Sequence, residues 1–166
     1  MIRVVESNMI FEFEEKHIFQ IENSNLHSSL GDGIKTVEFV VSVKPDEILF
    51  VEAKSSSPQP KAENKERFDE FIDEISDKFI HSFNMYLTSV LKRNLVDKIP
   101  DKLLNIELET AKFKFILIIK GHKIEWLQPL KDAFDRIMID YNKIWKSSVI
   151  IMNDEIAKEF KLIKER

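Results

Sequence analysis

Two neighbouring segments, Val37-Glu38-Phe39-Val40-Val41-Ser42-Val43 and Ile48-Leu49-Phe50-Val51-Glu52-Ala53-Lys54, are dominated by β-branched and aromatic residues. Such side chains lose little in an extended backbone and pack well on a pleated surface. Lys44-Pro45-Asp46-Glu47 separates the segments and reads as a turn, because proline presets φ and aspartate can bond its own backbone. The pair is therefore expected to be a hairpin. Its near-continuous apolarity requires cover on both faces, which the rest of the chain must supply as layers above and below.

Helical layers are legible on the C-terminal side. Residues 62–93 repeat apolar positions at helical spacing (Phe68, Phe71, Ile72, Ile75, Phe79, Phe83, Tyr86, Leu87, Val90, Leu91), with acids early and Lys92-Arg93 at the end, as the helix dipole favours. Phe113-Lys114-Phe115-Ile116-Leu117-Ile118-Ile119-Lys120 is a strand that stops at Gly121. Residues 124–145 form a second amphipathic pattern, and Ser148-Val149-Ile150-Ile151-Met152 is a short buried strand. Asn153 or Asp154 caps a last helix expected to run through Ile163. Upstream, alternation at Phe11 and Phe13 suggests a strand, and residues 22–30 a short helix ended by Gly31-Asp32-Gly33. A long helix between two strong strands predicts a parallel crossover. The expectation is one domain over residues 1–166, α/β in class, a mixed sheet flanked by helices.

Charge and composition narrow the function. The chain has 43% hydrophobic and 33% charged residues, the balance of a soluble globular protein. It has no cysteine, which excludes disulfides, Cys-zinc sites and thiol catalysis and fits a cytoplasmic location. No run approaches a membrane span, and Met1-Ile2-Arg3-Val4-Val5-Glu6 is too short and too soon charged for a signal peptide. A net charge of −4 argues against a protein whose main task is non-specific grip on nucleic acid.

The chemistry concentrates in the hairpin. Glu-x-Lys tripeptides recur at Glu14, Glu52, Glu63 and Glu159, but only Glu52-Ala53-Lys54 ends an apolar strand next to another strand bearing a carboxylate. Side chains alternate along a strand, so Glu52 and Lys54 share a face. If Glu38 sits opposite Glu52, an odd-numbered connection around Pro45 follows, and both carboxylates meet the ammonium on that face. Like charges on a buried face need a counter-charge. Two carboxylates, the Ala53 carbonyl and waters suit a hard cation, Mg²⁺ or Mn²⁺.

Thr36-Val37-Glu38-Phe39-Val40-Val41 followed by Ile48-Leu49-Phe50-Val51-Glu52-Ala53-Lys54-Ser55-Ser56 resembles the PD-(D/E)XK nuclease superfamily. The helix, strand, helix, strand order that follows is also similar. The resemblance implies a restriction-endonuclease-like core over most of the chain and Mg²⁺-dependent hydrolysis of nucleic-acid phosphodiesters, DNA before RNA. By position, Glu38 matches the first strand carboxylate, Glu52 the second and Lys54 the lysine. The first carboxylate is Glu where the family usually has Asp, and no Gln-x-x-x-Tyr element follows. For the acid that many members supply from upstream, Glu22 is the first candidate and Glu6 the second.

Other signals are ordinary. His17, His27, His81 and His122 lack ligand spacing, and Ser55 to Ser57 reads as a solvated loop. Trp126 and Trp145 fall on the apolar side of a helix, and the acids from Glu63 to Asp77 on a solvated one. The rival to an enzyme is a catalytically inactive nuclease-fold protein whose long acidic helix docks a protein partner or a second copy.

Overall fold

The computed structural model describes residues 1–94 and 98–164. A five-stranded sheet carries the architecture, in the order β3 (Ile18–Phe19), β4 (Phe39–Val41), β5 (Glu47–Lys54), β6 (Lys112–Ile119), β7 (Ser148–Asn153). β3, β4 and β5 run antiparallel to their neighbours, whereas β5, β6 and β7 are parallel. The long helix between the two central strands makes the parallel crossover that the sequence predicts.

An N-terminal hairpin of β1 (Ile2–Glu6) and β2 (Met9–Phe13) forms a separate two-stranded sheet. Its two-residue turn places Ser7 and Asn8 at φ 49° and 59°, the left-handed geometry that matches the strand twist. The helices are α1 (Asn25–Leu30), α2 (Lys65–Val90), α3 (Asp101–Leu104), α4 (Leu127–Ile137), α5 (Ile139–Trp145) and α6 (Asp154–Glu159).

The sheet separates two cores. On one face Phe50, Phe115 and Leu117 pack with Phe79 and Phe83 of α2 and Phe134 of α4. Phe83 anchors this layer, meeting Phe113 edge-on at 5.1 Å and Trp145 at 4.9 Å. On the other face Phe39, Val51 and Ile118 pack with Phe11 and Phe13 of the hairpin and with Ala157, Leu162 and Ile163. β5 is thus buried along nearly its whole length, as its unbroken apolarity requires.

Five elements differ from the sequence expectation. The first hairpin strand, read over 37–43, is extended only over Phe39–Val41, so Glu38 lies just outside it, and the 22–30 helix is a 3-10 turn at Ile21–Asn23 followed by α1. Ile2 to Glu6 is a strand, paired with β2. The 124–145 pattern divides at Met138, whose φ and ψ of −93° and 8° leave the helical well; α5 then carries Ile139 and Ile144 outward, exposed, while Trp145 stays half-exposed against Phe83. The last helix stops at Glu159, because Lys161 turns left-handed at φ 58° and folds Leu162 and Ile163 back into the second core. Among the described residues no helix is long and apolar enough to cross a membrane.

Candidate functional site

Glu38 immediately precedes β4, and its backbone N–H donates to the Val51 carbonyl at 3.1 Å. The β4–β5 register pairs Phe39 with Val51, Val40 with Phe50 and Val41 with Leu49, a connection centred on Pro45. Glu38 itself is a bend just outside the paired residues, and its bond to Val51, the partner of Phe39, breaks the regular ladder there; its carboxyl nevertheless lies near enough to Glu52 for the two to repel.

Glu52 is fully buried, and what satisfies it comes largely from α2. Its Oε1 accepts from Lys78 Nζ at 2.7 Å and lies 3.2 Å from Lys54 Nζ. Oε2 is buried with no hydrogen-bond partner among the described residues. A carboxylate oxygen left this way costs roughly 1–3 kcal/mol or more, so the position invites a further ligand. Lys78, at 12% side-chain exposure, is the more enclosed of the two lysines; Lys54, at 28%, leans toward Glu74 on α2 at 3.9 Å.

Beside this pair, carboxylate oxygens of Glu6, Glu22 and Glu38 all lie within 4.8 Å of one another. The three come from separate pieces of chain: the end of β1, a 3-10 turn at Ile21–Asn23, and the entry to β4. The hairpin that delivers Glu6 is tied down by Ser7 Oγ, which donates to the Ala53 carbonyl at 3.1 Å, and by Lys120 Nζ, which donates to the Asn8 carbonyl at 2.9 Å. The 3-10 turn leads into α1 through Ser24, whose side chain accepts from the His27 N–H.

So many acids in a half-buried corner hold protons tightly. Burial, a hydrogen bond with Glu22 and repulsion from Glu52, Glu22 and Glu6 push the Glu38 carboxyl up to about 9. Burial and Glu22 raise Glu6 as well, against the pull of Lys78. Glu52 is raised by burial while Lys78 and Lys54 oppose the shift. Lys78 is raised because Glu52, Glu38 and Glu22 together outweigh its own burial.

Of the residues singled out from sequence, Glu38, Glu22 and Glu6 converge, while Glu52 and Lys54 form an ion pair near enough for Glu52 to repel Glu38. The Ala53 carbonyl has one lone pair engaged by Ser7. Lys78 is a site residue that sequence reasoning passed over. It follows an acid-rich run on a solvated-looking helix, but it lies one turn after Glu74 and directly before the buried Phe79, on the border of the apolar stripe. Elsewhere, His122 is buried with its imidazole pKa pushed down by burial, its Nε2 3.5 Å from Ser57 Oγ and its ring 5.3 Å from Trp126. Among the described residues, the group that could chelate an ion is made of the three glutamates alone.

Fold and site together define a mixed α/β protein with a glutamate-lysine cluster where a strand hairpin meets a long helix. Comparison with protein families, with curated proteins and with solved structures finds no match to this chain.

Proposed function

We propose that this chain is a divergent PD-(D/E)XK-type nuclease with a restriction-endonuclease-like core, hydrolysing nucleic-acid phosphodiester bonds with Mg²⁺ or Mn²⁺. The observation that carries the reading is the convergence of Glu6, Glu22 and Glu38 within 4.8 Å beside Glu52. Neighbouring ligands of an octahedral Mg²⁺, each at about 2.1 Å, stand about 3.0 Å apart, so the three glutamates would have to draw together around an ion. The donor set fits: it is all oxygen, it shares a proton that a cation can displace, and the unpartnered Glu52 Oε2 lies beside it.

Glu38, Glu22 and Glu6 would hold the ion, with Glu52 kept close by through its two lysines. Bound there, a divalent cation supplies an acidified water and stabilises charge developing on a phosphodiester. Lys54 and Lys78 hold Glu52 in place and bring positive charge to a corner that must receive an anionic backbone.

Thermal unfolding with and without millimolar Mn²⁺ tests this. The melting temperature is expected to rise with the ion, and Glu38→Ala is expected to abolish the rise. Plasmid, single-stranded DNA and RNA should then be cleaved with Mn²⁺ by the wild type and not by the variant. A second reading is favoured by a different observation, the exposed acids Glu63, Glu66, Asp69, Glu70 and Asp73 along one side of α2. Under it the chain is a non-catalytic partner-binding protein, and it would neither respond to Mn²⁺ nor cut any substrate.

A further inference from the structure

A cavity of about 410 Å³ opens next to the glutamate cluster, between α1, the 31–36 loop and α2. Glu22 and Lys78 belong both to its wall and to the cluster, and Ser28, Lys35 and Thr36 line it further out. The wall contains two features that fold stability does not require. Lys78 spends one of its three N–H donors on Glu52, leaving two for a ligand. Thr36 is 3% exposed, yet its Oγ1 has no hydrogen-bond partner among the described residues.

These observations favour one class of occupant. Glu22 and Asp32 on the wall repel anions unless cations intervene, and the cations are Lys78 and Lys35 on the same wall and the divalent ion of the proposed site. An anionic group entering here would meet both. The cavity is larger than a bare phosphate needs, and it offers a hydroxyl and backbone edges beyond the charged end.

We propose that this cavity seats one nucleotide of the substrate strand, with its phosphate turned toward the glutamate cluster and met by Lys78. Lys78 is then the lysine that touches substrate, while Lys54 serves to position Glu52. This rests on the metal-dependent reading above and names its substrate subsite.

The test uses the full chain with Mn²⁺ and thymidine 5′-monophosphate as probe, read by calorimetry. The wild type is expected to bind the nucleotide when Mn²⁺ is present. Lys78→Gln should weaken that binding about ten-fold, or about 1.4 kcal/mol. Ser28→Trp, placed on the exposed rim away from the buried ion pair, should fill the opening and block the nucleotide with the same Mn²⁺ response, so the test survives if Lys78→Gln fails to fold. Wild-type binding of Mn²⁺ without the nucleotide, or undiminished nucleotide binding in Ser28→Trp or in folded Lys78→Gln, overturns the subsite and leaves the metal reading standing. Absence of any Mn²⁺ response removes both.

Discussion

At the scale of single residues, Glu38 is the side chain with the clearest solution consequence. In the unfolded chain its carboxyl ionises near 4.5, whereas in the folded protein it holds its proton up to about 9. Between those values the native state binds more protons than the unfolded one, so metal-free stability falls as pH rises across the window. Glu38→Gln keeps a hydrogen-bonding partner for Glu22 but cannot ionise. Urea unfolding at about pH 8 without metal should show the variant roughly 1 kcal/mol more stable than the wild type, with the gap narrowing toward about pH 5. Mn²⁺ reverses the order, because the wild-type carboxylate is then stabilised by the ion and the amide is not.

At the scale of elements, the strand pair and its register were legible because they depend on local facts: β-branched content and the odd-numbered turn around Pro45; the bend at Glu38, just outside the pairing, was not. The N-cap was legible too. Asn153 Oδ1 accepts from the Ile156 N–H at 2.9 Å, and its Nδ2 donates to the His122 carbonyl, joining α6 to the end of β6. Asn153→Ala is expected to cost about 1–2 kcal/mol in chemical denaturation while leaving the Mn²⁺ response intact, since neither bond reaches the glutamates. What could not be read locally was β1. Ser7 and Asn8 adopt a left-handed turn without glycine, and the pairing of Ile2 with Phe13 is visible only once the second core is known. Lys78 escaped for the same reason, since its partner Glu52 is 26 positions away and only the packing of α2 on β5 joins them.

At the scale of the molecule, the candidate site is a junction. The hairpin, the 3-10 turn, the sheet and α2 each contribute a charged group, and none could assemble the cluster alone. Residues that merely fix one part against another should therefore tune the whole. Ser7→Ala removes the hydroxyl that ties the hairpin turn to Ala53 without touching a glutamate. Its expected effect is a roughly ten-fold loss of Mn²⁺ affinity, measured by titration against the melting temperature, with little change in metal-free stability.

The same hairpin also sets an order of events during synthesis. Glu6 leaves the ribosome well before the groups that hold its hairpin: the turn beside it is held by Lys120, which is joined to Asn8 across 112 positions, and β2 is met by the Lys164 amide at Ile10. A growing chain therefore carries its acids long before it can gather them, and contacts spanning such distances close late. Nascent polypeptide would emerge as a poor ligand for any ion, and competence would arrive only when the last strands have docked.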